Sequence, residues 1–139
     1  MFNFLRAFPL TFLPIVVYAL FAFPSGYEGM RTALEAPMFS MRLPSGADWV
    51  ATRGDGFLMF GALCLFVEIV KSTSATRAAL IENGLSFFCF VLSFVLFLLS
   101  PAFGTMQFFI LAGMLAIDFL AGFVVMTVSA RRDVSFSPQ

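Results

Sequence analysis

Residues Met106 to Val128 read MQFFILAGMLAIDFLAGFVVMTV, an apolar run whose only charged side chain is Asp118. A helix needs about 20 mainly apolar residues to cross a hydrocarbon core about 30 Å thick, so this run is long enough to span a bilayer. Three further runs accompany it. One extends from about Phe4 to Phe23, with Pro9 and Pro14 expected to kink it. Another covers about Asp48 to Lys71, with Asp48 as N-cap. A third covers about Arg77 to Leu99 and is stopped by Ser100-Pro101 and Gly104. The composition agrees. Of the 139 residues, 60% are hydrophobic, 12% are charged and 21 are phenylalanine, and the mean hydropathy is +0.97. Soluble domains are typically about 45–50% apolar and about 25% charged, so lipid is the solvent these side chains suit.

The expected fold is therefore all-α: a single membrane domain, residues 1–139, forming a four-transmembrane-helix bundle. Its helices lie at about 4–23, 48–71, 77–99 and 106–128, with one longer extracytoplasmic loop at 24–47 and a tail at 129–139. The basic start, apolar stretch and Pro24-Ser25-Gly26 also suit a signal peptide; we read a retained first helix. Within the loop, Met30, Leu34 and Met38 recur at helical spacing, which suits either a short surface helix or an ordered loop. Trp49 suits the membrane interface. Four spans put Arg6, Lys71, Arg77, Arg131 and Arg132 on one side. The other side holds Arg31, Arg42 and Arg53, diluted by Glu28, Glu35, Asp48 and Asp55. The positive-inside rule then places both termini in the cytoplasm.

Formal net charge is zero and no basic stripe exists, so nucleic acid is not an expected partner. The chain has no histidine, which removes the commonest general base and the usual haem and transition-metal ligand together. It also lacks a phosphate-binding glycine loop, a nucleophile beside a base and a metal-ligand spacing, so neither catalytic residues nor a metal are expected. Arg53-Gly54-Asp55 matches a cell-adhesion tripeptide by coincidence.

The polar residues inside the runs are the candidates for function. Asp118 lies mid-span, where a charged side chain costs at least ~2.5–3.5 kcal/mol. Counting along the helices places Tyr18, Ser93 and Gly61 at its depth, so a hydroxyl of Tyr18 or Ser93 is its expected hydrogen-bond partner. Asp118 then marks a proton or cation site, a docking point for another subunit, or a bond that locks helices together. Glu68 lies one turn from Lys71, with which it can pair, on a face with Gly61 and Cys64. Ser86, Cys89, Ser93 and Ser100 form a small, weakly polar stripe on the third helix, continued by Glu82 and Asn83. Ala121 and Gly122 offer close approach on the fourth. Packing of the second helix on the third would make Cys64 and Cys89 near neighbours.

Several of these segments also carry a resemblance. Gly54-Asp55-Gly56, Phe66-Val67-Glu68-Ile69-Val70-Lys71, Leu85-Ser86, the run Phe108 to Asp118 and Ala130-Arg131-Arg132-Asp133 resemble a family of small, uncharacterised bacterial inner-membrane proteins with four predicted spans. The likeness covers roughly the last two-thirds of the chain. The family tends to carry an Asp-His pair before the Leu-Ser of the third helix, whereas Glu82-Asn83 stands here. The resemblance implies membrane class and topology, and no activity. The leading expectation is a non-catalytic subunit or interaction protein of a membrane complex. The alternative is a small oligomeric proton- or cation-coupled transporter or channel using Asp118 and Glu68. Membrane lipids, a larger complex or further copies of the chain are the expected partners. A lipid, quinone or pigment fits a phenylalanine-rich groove equally well.

Overall fold

The computed structural model describes residues 8–71 and 77–134. The expected start at Phe4, Arg6, the linker Ser72 to Thr76 and the end of the tail lie outside the described residues, as do the side chains of Arg77, Arg131, Arg132 and Asp133. The chain is mostly helical. A 3-10 turn, Leu10–Phe12, leads into α1, Leu13–Glu35. A hairpin of β1, Pro37–Arg42, and β2, Asp48–Thr52, precedes α2, Arg53–Lys71. Helix α3, Arg77–Leu99, is joined to α4, Met106–Val134, by a second 3-10 turn, Pro101–Phe103.

Three segments are long and apolar enough to cross a membrane: Leu10–Glu35, Leu80–Leu99 and Met106–Ser129. Helix α4 is central. It packs against α3 and α2, α2 packs against α1, and the second 3-10 turn packs against α1. Phe103, Phe108, Leu111, Leu115, Ile15 and Tyr18 form the buried core at the 3-10 end of α4. Elsewhere the usual pattern is turned outward. On α3 the buried side chains are Asn83, Ser86, Cys89 and Ser93, while Phe88, Leu98 and Leu99 are 63%, 61% and 78% exposed. Small residues bring backbones together, and large apolar ones face a solvent as apolar as themselves.

The start of the first helix differs from expectation. Pro9 precedes the 3-10 turn and Pro14 sits in the first turn of α1, where a proline's missing N–H costs no helical bond. They begin the helix instead of kinking it. The kink comes later, at Pro24 and Gly26, where the glycine takes φ 63° and ψ −172° inside α1. That backbone region is essentially restricted to glycine. Helix resumes through 27–35 and turns Met30 and Leu34 inward, as a short helix at that spacing requires; Met38 falls outside it, in β1.

The expected 24–47 loop is thus half helix and half hairpin. Asp48 starts a strand and caps no helix, because Trp49-Val50-Ala51 pairs with Met41, Ser40 and Phe39 across an antiparallel register. Aromatic and β-branched residues favour this half-exposed pleat. Helix α2 begins five residues later, at a reciprocal cap. Thr52 donates N–H and Oγ1 to Asp55 Oδ2 at 2.8 and 2.9 Å, and the Asp55 N–H donates back to Thr52 Oγ1 at 3.2 Å. This is a capping box with aspartate in the usual glutamate place, which explains the aspartate of Arg53-Gly54-Asp55. Thr52→Val keeps the shape and removes the hydroxyl. It should lower stability by about 1 kcal/mol, read as an earlier thermal midpoint in detergent. At the far end, α4 runs on to Val134, past the expected limit of 128.

Candidate functional site

The two carboxylates of the apolar runs, Asp118 and Glu68, lie toward the end of the bundle where α2 finishes and α3 begins. Asp118, 5% exposed, accepts from Thr11 Oγ1 at 2.9 Å and from Ser86 Oγ at 2.8 Å, both on Oδ2. Glu68, 3% exposed, accepts from the Leu10 backbone N–H at 3.0 Å on one oxygen and from Lys71 Nζ at 3.2 Å on the other. Lys71 also pairs with Glu82 of α3. Asn83, a turn before Ser86, packs over Gly122 so closely that a Cβ there would meet its side-chain oxygen.

Local structure places each group. Starting the helix at a 3-10 turn leaves the Leu10 N–H without an intrahelical acceptor, and Glu68 supplies one. A carboxylate at a helix N-terminus also faces the positive end of the helix dipole. Thr11, one residue on, turns its hydroxyl to α4. The two carboxylates therefore hold the amino-terminal turn from α2 and α4, while Ser86 ties α3 to the same aspartate. Helices of no direct sequence relationship meet at one set of hydrogen bonds.

The expected partner of Asp118 is corrected. Its partners are Thr11 and Ser86, and neither Tyr18 nor Ser93. Tyr18, fully buried, shares a 2.6 Å hydrogen bond with Thr105 near the opposite end of the bundle, ringed by Phe57, Phe103 and Phe108. Ser93 donates to the Cys89 carbonyl of its own helix at 2.8 Å. The depth count placed the end of α4 at Val128, whereas the helix continues to Val134 and Asp118 lies level with Ser86, one turn from Glu82. The Glu68 to Lys71 pair is present as the i,i+3 spacing suggests. Sequence reasoning missed Thr11 and Thr105. Reading Pro9 as a helix start would have placed Thr11 at the level of Glu68.

Gly61, Cys64, Ser86, Cys89 and Gly122 are buried, and Ala121 is half-buried. A Cβ on Gly61 would lie 2.9 Å from Met114 Sδ, so α2 crosses α4 at that glycine. Cys64 and Cys89 are both buried free thiols. The packing expected to pair them is not the principal one, since α2 and α3 each pack chiefly on α4. Among the described residues no group of histidine, cysteine, aspartate and glutamate has the arrangement of a metal site. Comparison with protein-family models, with curated proteins and with solved structures finds no match to the chain.

Proposed function

We propose that this chain is a non-catalytic membrane protein, a small packing or interaction subunit whose polar cluster fastens four helices together. The observation that carries the reading is that Asp118 and Glu68 are engaged by their own chain: two hydroxyls on one, a backbone N–H and Lys71 on the other. A group that relays protons or cations must exchange partners, and these are held by groups that rigidify the bundle. The exposed phenylalanines and leucines then face lipid or a larger membrane complex.

In this reading α2 is the fourth span. Its 19 residues extend about 28 Å as a helix, close to the hydrocarbon thickness. Its charges lie toward its two ends, Arg53 and Asp55 at one and Glu68 and Lys71 at the other. The membrane is a bacterial inner membrane and both termini are cytoplasmic, supported by the arginine and lysine placement and by the family resemblance. The hairpin then faces the other side.

The competing reading is a proton or cation carrier, favoured by the convergence of Asp118, Glu68 and Glu82 at one end of the bundle. The purified chain in sealed liposomes containing a pH-sensitive dye separates the two. Proton leak equal to that of protein-free liposomes is expected, for the native chain and for Asp118→Asn alike. A leak carried by the native chain and abolished by Asp118→Asn would overturn the packing role.

A further inference from the structure

A second feature lies away from the carboxylates, where the kink of α1, strand β1 and the first turns of α2 border an open cavity of about 570 Å³. Its walls are apolar: Phe21, Met30, Leu34, Met38, Phe57 and Phe60 all line it. The kink at Gly26 makes one wall by bending 27–35 back, and the bond from the Arg53 N–H to the Ala36 carbonyl, 3.0 Å, pins the start of α2 to the end of α1. The volume falls within the roughly 300–1,000 Å³ of small-molecule pockets.

Arg53 is the one charged residue in the lining, and Ser25 adds a hydroxyl. Among the described residues Arg53 enters no ion pair, and the carboxylates of Asp55, two residues on, and of Glu35, beside Ala36, are occupied. Asp55 is engaged by Thr52, and Glu35 by Arg31 at 3.1 Å. An exposed guanidinium outside any ion pair among the described residues thus stands beside an apolar cavity. It presents a planar, bidentate donor set that matches phosphate geometry.

We propose that this cavity holds one acyl chain of an anionic phospholipid, with the phosphate at Arg53 and the second chain left in the surrounding bilayer. Charge complementarity selects the anionic headgroup, and the apolar lining selects the chain. In a bilayer, anionic phospholipid is the abundant amphiphile of this chemistry. The site is separate from the cluster around Asp118, so it stands or falls independently of the packing role.

The test is native mass spectrometry of the full chain, released from detergent after incubation with equal amounts of phosphatidylglycerol and phosphatidylcholine. One phosphatidylglycerol per copy should be retained in preference. Arg53→Gln should cut that preference about fivefold, the factor expected of one basic residue at an anionic headgroup. Ala33→Phe, which fills the lining from the α1 side, should reduce retention of both lipids. Arg53 is exposed, so its variant should elute as the native chain does in size exclusion. Equal retention of the two lipids by the native chain overturns the proposal, as does a preference unchanged by Arg53→Gln. Retention of a free fatty acid in place of the phospholipid overturns it as well.

Discussion

Asp118→Ala should lower the stability of the detergent-solubilised protein by about 1–3 kcal/mol, while Asp118→Asn should lose much less. The alanine variant removes the acceptor that Thr11 and Ser86 share, and both hydroxyls are buried. A buried donor left unpaired costs about 1–3 kcal/mol in water-soluble proteins. In membranes the measured coupling is smaller, about 0.6 kcal/mol on average and at most about 1.7, because freed groups find other acceptors. Ser86 has such an acceptor one turn back on its own helix, so the lower half of the range is the better guide for that bond. Thr11 sits in a 3-10 turn with fewer alternatives. Asparagine keeps a carbonyl oxygen able to accept from both. Reversible unfolding followed by far-ultraviolet circular dichroism reads the difference. A cycle with Ser86→Ala isolates the pair, and strictly additive losses would rule out the bond as a stabilising contact.

The second large effect is expected at Gly122. Gly122→Leu should destabilise by about 3 kcal/mol or displace α3 outright, because its first carbon meets the buried Asn83 side chain and the rest of the leucine has to fit between the same two helices. A Cβ at Gly122 would lie 3.0 Å from Asn83 Cγ and 3.6 Å from Asn83 Cβ, so the Asn83 amide has to turn away to admit even one carbon. Gly113, on the same helix, provides the control. Nothing lies within 4 Å of its Cβ position, and Gly113→Ala should be neutral or gain up to about 1 kcal/mol from helix propensity. Asn83→Ala should partly rescue Gly122→Ala, since it removes the atoms in the way. Thermal midpoints in one detergent decide the comparison. Equal tolerance at Gly113 and Gly122 would mean that α3 and α4 do not approach there.

The two sites also show how far local pattern carries. Gly122 was readable as a close-approach position because a small residue beside Asp118 in an apolar run has few other uses. The asparagine that covers it was not readable. Asn83 lies on another helix, and no periodicity within either segment specifies which pair of faces meets. Glu68 and Lys71 are neighbours on one helix, and their pairing follows from helical spacing alone. The bond from Glu68 to the Leu10 N–H spans 58 residues and depends on where the first helix begins. A depth count assumes that every helix starts and ends at the same plane. Here α4 overruns its expected end, so the count selected the wrong hydroxyls for Asp118, and the prolines set the level at which Thr11 meets it.

The hairpin taught a related lesson at shorter range. Trp49-Val50-Ala51 is apolar enough to extend a helix and β-prone enough to form a strand, and its pairing with Phe39-Ser40-Met41 decides between them. Sequence by itself determined the apolar solvent, the limits of α3, the start of α4 and the residues able to carry charge or hydrogen bonds. These follow from composition and from signals within a few residues. Tertiary structure alone decided which carboxylate meets which donor, where α1 bends and what the bend borders. Those depend on distances between segments remote in the chain, and a small change in where a helix begins exchanges one partner for another.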